Sequence, residues 1–594
     1  MSENVKYTIL RFAAVFGIIL VLFIVVFVRI ISLQTVHRNQ LESMVAHRDS
    51  VYRTDKAIRG NIYDSKGRLL ASSVPQYSIH MDTRVEALHL KNGKVFYEYV
   101  DSIAEGLSNI IGDQTKEQYR NKMIRAYKGK TIKERDIRLT NKRISYTQLK
   151  EIKKLPLVCK GVYKSGFYFV DLNQRVKPFN SLASRTIGSI YAESGKGNAG
   201  LELRFDEYLQ GKDGRSIRQR VANEWEYVPI VHQENGCDIY TTLDANLLDI
   251  CESNLREQLD STEGEWGCVI LMEVETGEIK AMCNLDRGSD GKYYERSNHA
   301  VTRLEPGSTF KTVALMAAMD DGKIGINDTI RVWRNGWKYS TKLHKDAHAA
   351  DTTYTTREAL RTSSNIALAR IITRSYNGSA KQFVDKLKSM HLCDSIDYII
   401  PGAQQAVINV PKDKVSISLM SYGYSLELNP LQVVTFYNAI ANNGKMISPI
   451  LVKEIRKGTE TIETFETQVI NRKICNDRTL ENIQACLHDV VWAKGGTAHP
   501  AQSGMVSIAG KTGTAQLNEN GKYTNQRHRI SFVGYFPEEK PQYTCICIIN
   551  KPRRDKNGSG AQCGTVVRKI AEEAMVYSSE YIIQGKQLVL CHKK

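Results

Sequence analysis

The chain has 594 residues, of which 42% are hydrophobic and 8% aromatic, and a formal net charge of +18. This composition excludes an intrinsically disordered protein, and the length allows about two to four domains. So positive a charge suits nucleic acid, an anionic membrane or a polyanionic wall as a partner.

An apolar segment near the N-terminus narrows that choice. Residues 12–28 carry no charge, and apolar residues continue past Arg29 to Leu33. About 20 such residues are needed to span the hydrocarbon core of a bilayer. Because no small-x-small cleavage site follows, we expect residues 1–34 to form a short tail and an uncleaved transmembrane signal anchor. The basic residues on either side of the span do not decide its orientation.

Glycines and basic residues characterise the next region. Gly60 and Gly67 separate short strand-like pieces in residues 59–71, which predicts a hairpin. Residues 116–154 are strongly basic with helical spacing, typical of a solvated helix face; contact with lipid head groups, glycan strands or a partner is the alternative. The composition shifts near residues 233–236, so we place a boundary there and expect one domain over residues 35–235.

The rest of the chain, residues 236–594, predicts an α+β domain. A strand at residues 238–243 precedes a helix at residues 244–259, and Thr276-Gly277 marks a hairpin. Three further strands and a helix are predicted late in the chain, at residues 506–516, 530–536, 543–549 and 566–577. Strands at both ends with helices between them indicate one antiparallel sheet flanked by helices.

The first candidate site motif is a Ser-x-x-Lys unit at a predicted helix start. Ser308 and Lys311 are three residues apart, so they share a helix face. A serine hydroxyl becomes nucleophilic when a nearby base takes its proton, and lysine can be that base if burial lowers its pKa. An exposed serine that caps the helix is the alternative.

Two more motifs follow in order along the chain. Ser363 and Asn365 form a Ser-x-Asn unit, in which the hydroxyl can relay a proton and the amide can bind a peptide group; a helix cap is the alternative.

The last motif is Lys-Thr-Gly-Thr in a predicted strand. Gly513 would leave the strand edge open to a peptide, while Lys511, Thr512 and Thr514 would bind a carboxylate. We also expect the charge of Lys511 to help keep Lys311 neutral, and the Thr514 N–H to share an oxyanion hole with that of Ser308.

These three motifs in this order resemble the penicillin-binding proteins and the serine β-lactamases. The resemblance to class B penicillin-binding proteins, and most to their FtsI type, covers nearly the whole chain, with no glycosyltransferase-like domain before it. It is carried by residues 59–71, 198–202, 241–244, 305–311, 422–425 and 429–432. It implies an elongated, mixed, dimerisation-like pedestal domain over residues 35–235 and a transpeptidase domain over residues 236–594.

The chain departs from the family pattern at two positions. Ser65 stands where arginine is usual and Lys177 where tyrosine is usual, both in the non-catalytic half. These departures bear on partners more than on chemistry. Ser364 replaces the aspartate common in β-lactamases, which fits class B, and no deacylating glutamate is evident by motif.

The resemblance implies a single-pass inner-membrane D,D-transpeptidase whose bulk is periplasmic. Its catalytic residues would be Ser308, Lys311, Ser363 and Asn365, with Lys511, Thr512, Gly513 and Thr514 binding substrate. Partners would be D-Ala-D-Ala stem peptides, β-lactam inhibitors, a polytopic lipid-II polymerase and other division proteins, with no cofactor, metal or nucleic acid. The alternatives to a septal enzyme are an elongation-type transpeptidase, a β-lactam-sensing receptor and a β-lactamase-like hydrolase.

Histidines and cysteines leave two minor questions. His344, Asp346 and His348 are spaced as a metal-binding helix face would be, with a solvated loop or helix as the favoured interpretation. The 12 cysteines are scattered without zinc-like spacing, so we expect most to be small buried side chains, with a few disulfides as the alternative.

Overall fold

The computed structural model of the chain describes residues 3–35, 52–221, 224–347, 350–392, 400–411, 413–519, 522–554 and 559–591. The chain forms two compact units. The first comprises Met1–Ile58 and Gly211–Gly236, and the second Arg59–Gln210 and Cys237–Lys594.

The helices are numbered in chain order. They are α1 Glu3–Thr35, α2 Glu86–Ile111, α3 Lys116–Tyr127, α4 Ile132–Arg135, α5 Tyr146–Ile152, α6 Val162–Ser165, α7 Ser184–Ile187, α8 Gly200–Arg204, α9 Asp206–Gln210, α10 Ala245–Thr262, α11 Phe310–Asp320, α12 Thr356–Arg361, α13 Asn365–Ser375, α14 Ala380–Ser389, α15 Lys414–Met420, α16 Pro430–Ala441, α17 Asp477–Trp492 and α18 Ala561–Cys591.

The strands are numbered in the same way. They are β1 Tyr52–Asp55, β2 Ile62–Tyr63, β3 Leu69–Asp82, β4 Asp136–Arg138, β5 Phe167–Val176, β6 Ser189–Ile190, β7 Gly197–Ala199, β8 Gly214–Val221, β9 Glu224–Val231, β10 Asp238–Thr241, β11 Trp266–Glu273, β12 Ile279–Arg287, β13 Tyr293–Tyr294, β14 Thr329–Val332, β15 Trp337–Tyr339, β16 Lys342–His344, β17 Thr352–Thr355, β18 Met446–Ile447, β19 Val452–Lys457, β20 Glu460–Thr464, β21 Val469–Asn471, β22 Ala509–Glu519, β23 Lys522–Phe536 and β24 Tyr543–Asn550.

The first unit contains the apolar helix α1 and a small sheet. Within α1, Ala13–Ile31 is long and apolar enough to cross a membrane, as a signal sequence or an anchor would be. The sheet has the strand order β1-β8-β9 and is antiparallel throughout.

The second unit begins with a seven-stranded mixed sheet. Its order is β20-β19-β10-β2-β3-β4, with β5 also paired to β3. The predicted hairpin at residues 59–71 is confirmed, because β2 pairs antiparallel with β3. A separate apolar core, which includes Phe96, Leu107 and Tyr119, packs helices α2, α3 and α5 against the far end of β3.

The basic stretch at residues 116–154 is not one helix. It forms α3, α4 and α5, with β4 between the last two. Capping boxes start two of these helices: the Thr115 hydroxyl accepts from the N–H of Gln118, and the Ser145 hydroxyl from that of Gln148. The helical spacing in this sequence is therefore real, but local caps divide it.

Three charged side chains are buried together in the second unit. The carboxylate of Glu202 accepts hydrogen bonds from Nε of Arg59 at 2.7 Å and from Nε of Arg175 at 2.6 Å. Nη1 of Arg175 also donates to the carbonyl of Gly60. Residues 59–60, β5 and α8 are thus joined by one carboxylate that water does not reach.

The six-stranded antiparallel sheet forms the centre of the predicted transpeptidase region. Its order is β13-β12-β11-β24-β23-β22, so the Lys-Thr-Gly-Thr strand β22 lies at an edge. Helices α10 and α18 contact one face; a Cβ on Gly267 would touch Leu255, and one on Gly564 would touch Phe532. Helix α16 contacts the other face, where Thr544 donates to the side chain of Asn438.

The α+β prediction is confirmed in its main elements. The predicted helix at residues 244–259 is α10, the Thr276-Gly277 hairpin joins β11 to β12, and the three late strands are β22 to β24. The last helix is longer than predicted, since α18 extends from Ala561 to Cys591. The ten cysteines whose side chains the structure describes form no disulfides and eight of them are buried, as expected for small packing residues.

We expect Glu202→Gln to lower the free energy of unfolding by about 3–5 kcal/mol, because Arg175 would stay buried without its carboxylate and Arg59 would keep only its pair with Asp206. Glu151→Gln is the control, because its pair with Lys154 is exposed and should contribute about 1 kcal/mol or less. Urea unfolding followed by tryptophan fluorescence measures both. Equal effects of the two substitutions would contradict the assignment.

Candidate active site

The candidate nucleophile lies in a tight turn against the edge strand. Gly307–Thr309 forms a 3-10 turn that leads directly into α11, as the sequence predicted for a helix start at Ser308. Gly307 has φ of +59°, and a Cβ there would lie 2.9 Å from Cβ of Ala515 on β22. A glycine is therefore required both for the turn and for close contact with the strand.

Lys311 lies in the first turn of α11 and is 1% exposed. Its Nζ donates to the carbonyl of Ser363 at 2.6 Å and to the Ser363 hydroxyl at 3.0 Å. Burial lowers the pKa of Lys311 to about 7, and the carboxylate of Asp346 opposes this shift. A lysine in this position loses its proton near neutral pH.

Ser363 is held in an unusual backbone conformation between α12 and α13. Its φ is +54°, in the left-handed region that a serine seldom adopts. Ser364, the next residue, caps α13 by accepting from the N–H of Ala367. The turn therefore directs both the carbonyl and the hydroxyl of Ser363 at Lys311, and the cap begins one residue later than the candidate catalytic serine.

Asp346 fixes this second motif from outside it. Its carboxylate accepts from the Ser364 hydroxyl at 2.7 Å and from the N–H of Ile366 at 2.9 Å. Asn365 donates to the neighbouring carbonyl of Lys345 at 3.0 Å. The loop that precedes β17 thus holds the Ser-x-Asn turn, a contact that no local sequence signal could have revealed.

Lys511, on β22, is fully buried and close enough to Lys311 for the two charges to interact. Its Nζ donates to the carbonyl of Thr512 at 3.0 Å and to the Thr512 hydroxyl at 3.3 Å, and the Thr497 hydroxyl lies 2.7 Å from that same oxygen. Burial holds the pKa of Lys511 well below its usual range, and the charge of Lys311 lowers it further.

The sequence predicts that the charge of Lys511 lowers the pKa of Lys311. The effect found is the reverse one: the charge of Lys311 lowers the pKa of Lys511, whereas burial lowers the pKa of Lys311.

Glycine is needed at position 513 for a different reason from the one that the sequence suggested. A Cβ at this position would lie 2.2 Å from Oγ of Ser531 and 3.1 Å from Cγ2 of Thr309. The absence of a side chain lets β22 pack closely on β23 and on the nucleophile turn. The open edge itself comes from the position of β22 at the end of the sheet.

The pairing of β22 with β23 determines which N–H groups of β22 point outward, toward its open edge. The N–H of Gln516 donates to the Tyr424 hydroxyl at 2.8 Å, so it points away from β23. The register is regular from residue 509 to residue 516, and pair types alternate in an antiparallel ladder. The N–H groups of Thr514 and Thr512, two and four residues earlier, therefore also face the open edge.

The structure brings together the segments that carry the three motifs. Lys311 bonds to Ser363, Gly307 touches Ala515, and Thr309 lies beside Gly513. Sequence reasoning missed the part that Asp346, Tyr424 and Thr497 take. The sequence suggests Asp346 only as a possible metal ligand and Tyr424 only as part of the family motif at residues 422–425, and it gives no signal at Thr497.

The alternative of a metal site at His344 is not supported by the geometry. His344 is buried, its Nδ1 lies 2.8 Å from the Tyr422 hydroxyl and its Nε2 lies 3.1 Å from the Ser418 hydroxyl. Burial lowers its pKa to about 4. His348 lies outside the described residues, and among those described no three His, Cys, Asp or Glu side chains are grouped as a metal would need.

Two family profiles match the chain. The profile described as "Penicillin binding protein transpeptidase domain" matches residues 267–572, and "Penicillin-binding Protein dimerisation domain" matches residues 54–241.

Similar proteins match over nearly their whole length. The probable peptidoglycan D,D-transpeptidase PenA of Neisseria meningitidis is 25% identical over 94% of this chain and 91% of its own. The peptidoglycan D,D-transpeptidase FtsI of Buchnera aphidicola is 26% identical over 96% and 95%. Stage V sporulation protein D of Bacillus subtilis is 23% identical over 95% and 85%.

A solved structure shares the fold. Penicillin Binding Protein 2X from Streptococcus thermophilus has a TM-score of 0.75 at 23% identity, covering 88% of this chain and 80% of that one. The transpeptidase profile alone covers more than half of the residues, which establishes the family. The chain belongs to the penicillin-binding proteins and is a serine-type peptidoglycan D,D-transpeptidase of class B.

Proposed function

We propose that Ser308 is the nucleophile of this transpeptidase, that Lys311 is its general base and that Ser363 relays the proton. The observation that carries this assignment is the 3.0 Å contact between Nζ of Lys311 and the Ser363 hydroxyl, made by a buried lysine whose pKa is about 7. A base with a pKa near the working pH is the most effective one.

In the reaction, the Ser308 hydroxyl attacks the carbonyl of the penultimate D-Ala and gives its proton to Lys311. The C–N bond to the terminal D-Ala breaks, and the proton passes through Ser363 to the leaving amine. An amine of a neighbouring stem peptide then attacks the acyl-enzyme and loses a proton to Lys311. The C–O bond to Ser308 breaks, and Lys311 returns that proton to the Ser308 oxygen.

The edge of β22 would hold the donor peptide. We propose that the N–H groups of Ser308 and Thr514 bind the developing oxyanion, since the Thr514 N–H faces the open edge. The terminal carboxylate would lie at Lys511, Thr512 and Thr514. That carboxylate would favour the ammonium form of Lys511, which burial disfavours. Asn365 would bind a peptide group of the substrate.

At the cellular level we propose a septal role in division. Two features support it: the FtsI-like motif context of residues 59–71 and the FtsI protein among the similar proteins. Helix α1 would be the single-pass anchor in the inner membrane, with the pedestal at residues 35–235 and the catalytic domain at residues 236–594 in the periplasm. A polytopic lipid-II polymerase and other division proteins would bind through the anchor and pedestal.

Fluorescent penicillin should label Ser308 one to one, as mass spectrometry of the adduct would show. Ser308→Ala should abolish labelling, because no other side chain would carry the acyl group. Ser389→Ala, an exposed serine at the end of α14, is the control and should label normally. Label on another residue would remove the proposal, and rapid penicillin hydrolysis would favour the β-lactamase alternative.

The rate of acylation should rise with pH through about 7, as Lys311 loses its proton. Asp346→Asn removes the charge that raises the pKa of Lys311, so the acidic limb of the profile should move to lower pH. Asp351→Asn, an exposed carboxylate of the same loop, is the matched control and should leave the limb in place. Each profile is normalised to its own plateau; an upward or absent shift for Asp346→Asn would contradict the electrostatic role.

Depletion of the protein should produce filaments, because septal synthesis would stop while elongation continues. Cell length and width after depletion, measured by microscopy, decide between the two roles. Round cells would indicate an elongation-type enzyme instead.

A further inference from the structure

The loop that carries Tyr424 is fastened to the nucleophile turn. The N–H of Ser425 donates to the Glu305 carboxylate at 3.0 Å, and the N–H of Gly307 donates to the carbonyl of Gly423 at 3.2 Å. A Cβ on Gly423 would lie 2.1 Å from the carbonyl oxygen of Gly307. The backbone on either side of Tyr424 is thus fixed directly to the segment that bears Ser308.

The Tyr424 side chain bridges from this loop to the edge of β22. Its hydroxyl accepts the outward N–H of Gln516 at 2.8 Å. Burial raises the pKa of Tyr424, so the phenol stays protonated at neutral pH. The phenol is therefore a neutral, well-placed acceptor for a main-chain N–H that would otherwise face the groove.

The N–H of Gln516 is the next position along the groove after Thr514. Outward groups recur at every second residue of a strand, about 7 Å apart. A donor peptide whose carboxylate lies at Lys511 runs antiparallel to β22, so its N-terminal part extends toward Gln516. The carbonyl two residues before the scissile one is the group that would reach that N–H.

We propose that Tyr424 closes the free edge of β22 beyond Thr514 and so limits main-chain pairing of the acyl donor to its terminal residues. The inference rests on the proposed binding of the donor along β22. Tyr424 acts on specificity through the strand and need not touch the reacting atoms. The enzyme recognises the D-Ala-D-Ala end through backbone contacts, while the earlier part of the stem adds little pairing energy at this edge.

Two depsipeptides test this limit on the full-length enzyme. The short probe is N-acetyl-D-Ala-D-lactate, and the long probe, N-acetyl-L-Ala-D-Ala-D-lactate, adds the carbonyl that can reach Gln516. Release of D-lactate gives kcat/KM for each, and the ratio of long to short is the readout. In the wild type the ratio should be near one.

Tyr424→Phe should raise this ratio by about two- to tenfold, the range for one net hydrogen bond, because the Gln516 N–H becomes available to the long probe. Tyr422→Phe is the matched control: it removes the other hydroxyl of the same loop, which bonds to His344 instead of β22. Its ratio should stay at the wild-type value.

Three results would overturn the inference. The first is an unchanged long-to-short ratio of kcat/KM in Tyr424→Phe, and the second is an equal rise of this ratio in both variants. The third is a ratio already above tenfold in the wild type. Penicillin labelling of Ser308 in the same samples separates these outcomes from a failure of the proposed function, which would abolish the label.

Discussion

The burial of one amine, Nζ of Lys311, is the constraint on which the catalytic half depends. Excluding water lowers the pKa of this lysine to about 7, and its hydrogen bonds within the described part of the chain are the two to Ser363. A buried donor left without partners would cost about 1–3 kcal/mol or more, so the turn that presents Ser363 has to be held firmly. Its left-handed φ is the local strain that accompanies this arrangement.

Residues outside the three motifs hold this turn and the nucleophile segment in place. Asp346 binds the start of α13, and the hydroxyl of the fully buried Tyr437 forms hydrogen bonds with the carbonyl of Thr309 and the hydroxyl of Thr312 in the nucleophile segment. Backbones meet where glycines leave room, at Gly307, Gly423 and Gly513. Preorganisation of this kind keeps the hydroxyl, the amine and the strand edge in register.

In the non-catalytic half, a buried carboxylate holds segments of the chain together. Glu202 is fully enclosed and bridges Arg59 to Arg175, so the segments that these residues occupy cannot separate without exposing or orphaning a charge. The hairpin at residues 59–71, to which residue type alone assigned no chemistry, thus has a clear structural part in this network. The net charge of +18 includes these paired arginines, which are not available to a polyanion.

The sequence by itself determined the order of the three motifs, the helix after Ser308, the strand that bears Lys511 and the antiparallel character of the sheet. These follow from local periodicity and from turn residues, which act over a few positions. Only the tertiary structure decided which groups surround Lys311, why residue 513 is glycine, and that Tyr424 covers an N–H of β22. Those contacts join residues distant in sequence, and packing sets them, because burial and strand register depend on the whole fold and leave no short-range pattern.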